Sequence, residues 1–95
     1  MLSLLPLDLK KVPKEELHRQ ILRVGIIAEL DAISLYEQLA AMAEDEVVRA
    51  VLLDIAREEK THVGEFLALL LELDEEQARE LEKGREEIEE LKSGR

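Results

Sequence analysis

Glu59 and His62 stand three residues apart in the stretch AREEKTHVGEF, residues 56–66. That spacing puts a carboxylate and an imidazole on one face of a helix, about one turn apart. At about 100° per residue, Glu59 falls within roughly a quarter turn of Val48, Leu52, Ile55, Phe66, Leu70 and Leu73. The two polar side chains therefore interrupt an apolar stripe. A charge on such a stripe has to be paired, metal-bound or neutralised, because burying it alone costs several kcal/mol or more. Glu29 poses the same problem upstream, since it shares a face with Leu22, Ile26, Ile33 and Tyr36.

The elements that must position these three residues are helices. Pro13, followed by Glu15 and Glu16, marks a helix start, where proline costs no hydrogen bond and acids suit the dipole. The apolar periodicity predicts a helix over residues 14–43. Asp45 is placed to cap a second helix over residues 46–73 after a very short connection. Asp74 with Gln77 three residues on has the pattern of a capping box for a third, more polar helix over residues 75–91. That last helix carries only a narrow stripe of Leu81, Ile88 and Leu91, with Gly84 weakening its centre. The fold class is all-α: an antiparallel two-helix hairpin plus a short C-terminal helix. A hairpin cannot cover its own apolar faces, and two of them close into a four-helix bundle. Ile26, Ile27, Leu30, Ile33, Leu35 and Tyr36 surround most of the first helix, which predicts burial on nearly all sides and an assembly larger than a dimer.

With the turn near residues 44–46, Glu29 lies about sixteen residues before it and Glu59 about fourteen after it, so the two are level. Di-iron and di-manganese bundles take one Glu from each of two helices and a Glu-x-x-His from each of the other two. Glu29, Glu59 and His62 are half of that set. A two-fold pair of hairpins supplies four carboxylates and two imidazoles, which suits iron or manganese. The competing interpretation is a surface ion-pair lattice in which Arg57 and Lys60 neutralise the acids. Five further residues are secondary. His18, eleven residues before Glu29, is a solvated or capping-region histidine. Tyr36, two turns after Glu29, is core or a hydrogen-bonding neighbour of the site. Glu58 and Glu65 point toward a solvated face. Asp31 is roughly opposite Glu29 and reads as polar exterior.

Composition narrows the chemistry. Ninety-five residues make one small domain, here taken as 1–95 with a core of 13–92 and irregular flanks at 1–12 and 93–95. The absence of cysteine excludes thiolate metal sites and disulfides. A formal net charge of −10 disfavours nucleic acid and anionic membrane and suits a protein that gathers cations. No signal peptide and no run of 18 apolar residues is recognisable, so the expected location is the cytoplasm.

The segments IIAELDAISLYEQLA and DEVVRAVLLDIAREEKTHVGEFLALLLEL resemble the encapsulated ferritins, ferritin-like ferroxidases packaged in encapsulin nanocompartments. The resemblance covers about residues 13–90 and is close to archaeal members fused ahead of an encapsulin shell domain. It implies a ferritin-like bundle formed by dimerisation, a ring of dimers amounting to a decamer, and a di-iron ferroxidase centre at the dimer interface. The family's metal ligands fall on Glu29, Glu59 and His62, and its nearby tyrosine falls on Tyr36. An outer carboxylate that guides metal inward in some members falls on Asp31. Ala28 stands where some relatives carry a further carboxylate, and Leu35 where some carry tryptophan. The implied cofactor is iron, with manganese or calcium as substitutes. The implied partners are a second copy, the encapsulin shell, Fe(II) and dioxygen. No encapsulin-targeting tail is recognisable, so packaging rests on the resemblance alone, whether as separate cargo or as part of a fusion.

The leading expectation is a ferroxidase that passes Fe(III) to mineral held elsewhere. Two alternatives remain. One is a rubrerythrin-like di-metal peroxidase, which without cysteine has no rubredoxin centre in this chain. The other is a non-enzymatic helical adaptor whose Glu29, Glu59 and His62 form buried ion pairs.

Overall fold

The computed structural model describes residues 8–94 and is helical throughout apart from its connections. Short 3-10 turns at Leu9–Lys11 and Lys14–Glu16 lead into α1 (Leu17–Met42), α2 (Glu46–Leu73) and α3 (Glu75–Lys92). The fold class expected from the sequence is the one observed. Of the flanks expected to be irregular, residues 1–7 and Arg95 lie outside the described residues. The first helix begins later than its periodicity suggested. Pro13 caps a single 3-10 turn, Glu16 has φ −105° and ψ −3°, and the regular α-helix starts at Leu17. Tightening of a terminal turn into 3-10 geometry is common where the first N–H groups have no partner within the helix.

The hairpin turn is built from side chains. Asp45 accepts hydrogen bonds from the backbone N–H of Val47 at 2.8 Å and of Val48 at 2.9 Å, satisfying two donors at the start of α2. Arg49, one turn into α2, reaches back across the connection. Its guanidinium donates to the carbonyl oxygen of Ala40 at 3.2 Å and of Ala43 at 2.5 Å, covering acceptors at the end of α1. Two helix ends are thus closed by residues four apart, and the helices run back antiparallel.

At the other end of α2, Asp74 both ends that helix and caps α3, accepting from the N–H of Gln77 at 3.0 Å. The same carboxylate takes a 2.7 Å ion pair from Arg23 on α1, so one buried side chain ties all three helices together. Beyond this junction α3 packs only lightly on α2. It closes at Ser93, whose N–H and hydroxyl both donate to the Glu89 carbonyl, and at Gly94, which has φ +90°. A positive φ of this kind is the usual glycine helix stop.

Little apolar surface is enclosed. Among the described residues, the buried apolar side chains are Leu22, Ala40, Ala56 and Leu70, whereas Ile21, Leu30, Val51, Leu69 and Ile88 are each about half exposed. The radius of gyration, 16.9 Å, compares with about 12 Å for a compact chain of this length. Among the described residues, no helix is long and apolar enough to cross a membrane.

Candidate metal centre

Glu29 lies thirteen residues before the end of α1 and Glu59 thirteen after the start of α2. A symmetric hairpin therefore brings them level, and His62 lies one turn further along α2. One donor atom from each of Glu29, Glu59 and His62 lies within 4.8 Å of the other two. The closest pair is His62 Nδ1 and Glu29 Oε2 at 2.7 Å, with Glu59 Oε1 at 3.8 Å from the same nitrogen. The two carboxylate side chains are 17% exposed and the imidazole 45%, so the acids sit between the helices while the ring faces an open side.

The proton balance of the cluster follows from this crowding. Glu59 holds its proton more tightly than an ordinary glutamate, first through the hydrogen bond it shares with Glu29, then through burial and the Glu29 charge. His62 is likewise held protonated to higher pH, chiefly by its hydrogen bond to Glu29, with burial opposing and the surrounding carboxylates assisting. Both shifts record a need for positive charge.

Nearby lysine and arginine side chains do not meet that need. Arg57 pairs with Asp54 at 2.6 Å, and Lys60 crosses to Glu37 on α1 at 3.2 Å. The surface lattice that would have neutralised Glu59 through Arg57 or Lys60 is therefore not formed. Two carboxylates and one imidazole, converging without a permanent cation, fit an oxygen-rich site for a divalent metal such as iron or manganese.

The remaining sequence candidates lie around this cluster. Tyr36 is half-buried and makes no hydrogen bond among the described residues. Asp31 is half-buried and is not one of the converging ligands. Glu58 and Glu65 are exposed, as their helical faces require, and His18 is exposed at the first turn of α1 although it shares the face of Glu29. Sequence reasoning assigned no role to Arg23 or Arg49. Arg23 pairs with Asp74 across 51 residues and only through the junction of α2 and α3, a contact with no periodic signature. The nine-residue reach of Arg49 to Ala40 was open to anticipation, given a basic residue one turn after a cap.

A glutamate on one helix and a Glu-x-x-His on its antiparallel neighbour form a carboxylate-rich candidate metal site in a helical hairpin. The family model described as Rubrerythrin matches residues 20–93. The chain is 66% identical over 82 residues to a ferritin-like–encapsulin shell fusion protein of Pyrococcus furiosus, covering 86% of this chain and 24% of that protein. It is 41% identical over 76 residues to the encapsulin nanocompartment cargo protein EncC of Myxococcus xanthus, covering 80% of this chain and 55% of that one. The crystal structure of the encapsulated ferritin domain from Pyrococcus furiosus superposes with a TM-score of 0.82 at 58% identity, covering 96% of this chain and 95% of that chain. The chain belongs to the encapsulated ferritins, within the wider rubrerythrin family. It spans about a quarter of the length of the fusion protein and about half that of the cargo protein.

Proposed function

We propose that this chain is half of a ferroxidase: two copies pair so that Glu29, Glu59 and His62 of each hold two iron ions, at which Fe(II) is oxidised by dioxygen. The observation that carries this reading is the convergence of the three donor atoms within 4.8 Å, drawn from two helices and left without a lysine or arginine partner. Three ligands fall short of what two metals require, and the open side of His62 leaves room for a second set. The apolar surface exposed along α1 and α2 supplies a reason to pair.

Iron supplies the redox chemistry when bound: each Fe(II) gives up one electron, and dioxygen accepts the electrons together with protons. The protein's part is to bind and balance charge. Glu59 would give up its tightly held proton on binding, and the Glu29 and Glu59 carboxylates of a pair of chains would together offset the added charge of Fe(III). His62 binds as the neutral ring, so its extra proton leaves as metal enters. Tyr36 and Asp31 are assigned to the surroundings of the centre, with Asp31 on the route of entry.

The fusion and cargo relationships extend the proposal to iron storage or detoxification inside an encapsulin compartment of the cytoplasm, with the chains arranged as a decameric ring of dimers. The rubrerythrin family match favours a second reading, a di-metal peroxidase. Stopped-flow oxidation of Fe(II) separates the cases. Glu59→Ala should abolish rapid oxidation with dioxygen while Glu58→Ala retains it. Equal losses at both positions would reject the site, and rapid oxidation with peroxide alone would favour the peroxidase.

A further inference from the structure

Gly25 lies one helical turn before Glu29 on α1, and Phe66 lies one turn after His62 on α2. In the antiparallel pair these positions meet at one level, directly beneath the site. A Cβ at residue 25 would lie 3.1 Å from Cε2, 3.2 Å from Cδ2 and 3.5 Å from Cζ of the Phe66 ring. Carbon atoms prefer separations of about 3.5–4.0 Å, so the ring occupies space that any other residue at 25 would claim. The other helical glycines differ. Gly64 and Gly84 would each carry a Cβ into open space. Glycine in a helix interior costs stability relative to alanine, and only at Gly25 does a close approach between helices account for it.

The two ends of the site are packed by different residues. Toward the hairpin turn, the small side chains of Ala40 and Ala56 are each 2% exposed. Away from the turn, Leu22 and Leu70 are buried near the level of the glycine and the ring. An aromatic ring can sit between the helices at this end only because residue 25 has no side chain. One turn away, Glu29 Oε2 and His62 Nδ1 meet at 2.7 Å, a distance that an added few tenths of an ångström would already lengthen appreciably.

We infer that Gly25 and Phe66 form a notch that sets the spacing of α1 and α2 and so positions Glu29 against His62 and Glu59 for metal binding. Neither residue touches metal; both act through the helices that carry the ligands. The inference rests on the proposal that those three residues are the ligands. It identifies Gly25 and Phe66 as positioning residues for that centre.

Co(II) binding to the full chain tests it anaerobically, by titration of the visible ligand-field bands, with helical content followed by circular dichroism. Gly25→Ala should weaken Co(II) binding by about tenfold, the lower end of what misplaced support for metal ligands costs, and should alter the band intensities. Gly64→Ala, on the same helix as His62 but with open space at its Cβ, should leave both unchanged. Phe66→Leu removes the edge of the ring, so in that background Gly25→Ala should change affinity by less than about twofold. This comparison holds even where Gly25→Ala alone fails to fold. A loss from Gly25→Ala of the same size with and without the ring would overturn the notch, as would wild-type affinity in the single variant. Absence of Co(II) binding by the unaltered chain would reject the ligand assignment itself and the notch with it; binding by the unaltered chain with an inert Gly25→Ala would reject only the notch.

Discussion

At the scale of single residues, the site is a competition for protons that a metal would win. Glu59 and His62 both bind protons more tightly in the folded chain than their ordinary values of 4.5 and 6.5. A raised folded pKa favours folding while the group is protonated, and that contribution is lost as pH rises through the folded value. Both shifts have this sign. The metal-free protein should therefore lose thermal stability from these two groups as pH rises between about 5 and 8. Metal binding displaces the same protons, so the stabilisation conferred by Co(II) or Fe(II) should grow over that interval. Scanning calorimetry across the pH series, with and without metal under anaerobic conditions, should show the two trends diverging; parallel trends would mean that the site protons and the metal do not compete.

The three converging residues were legible in the sequence because each is a charge on an apolar stripe, and the short turn fixes which residues of α1 and α2 are level. The destinations of Arg57 and Lys60 were not legible. Each had several acids within reach, and the choice of Asp54 and Glu37 depends on side-chain directions that a linear pattern does not contain. The Gly25 and Phe66 contact was hidden for a related reason, since a small residue and a ring 41 positions apart become a pair only once the interhelical spacing is known.

At the scale of elements, two acids organise the chain. Asp45 and Asp74 were recognisable as caps because each precedes a periodic run, and both accept the backbone hydrogen bonds that this role requires. The second function of Asp74, its ion pair with Arg23, depends on how α3 leaves α2. Its carboxyl is held below the ordinary aspartate range by the Gln77 N–H first and by Arg23 as well, with burial opposing. α3 has little else to hold it, for its apolar residues Leu81, Ile88 and Leu91 are 43%, 50% and 69% exposed. Arg23→Ala should therefore loosen α3 selectively. Hydrogen exchange should quicken in residues 75–92 while the middle of α2 keeps its protection, and a uniform change across both helices would show that the ion pair does not set the position of α3.

At the scale of the whole molecule, the single chain leaves large apolar side chains uncovered. They lie along α1 and α2, and among the described residues few apolar side chains are buried. A chain of this size gains stability by association. The proposed centre is incomplete, with two carboxylates and one imidazole where two metals need twice that number. If both deficits are met by the same partner copy, metal binding and association are linked and each strengthens the other by the same factor. Facing carboxylates repel one another without metal, which adds to the difference. Sedimentation velocity over a dilution series, with and without Fe(II) under anaerobic conditions, measures that linkage most directly. The expected result is that Fe(II) shifts association to lower protein concentration and that Glu59→Ala loses the shift; a mass distribution indifferent to Fe(II), or a monomer that binds two irons by itself, would contradict the shared centre.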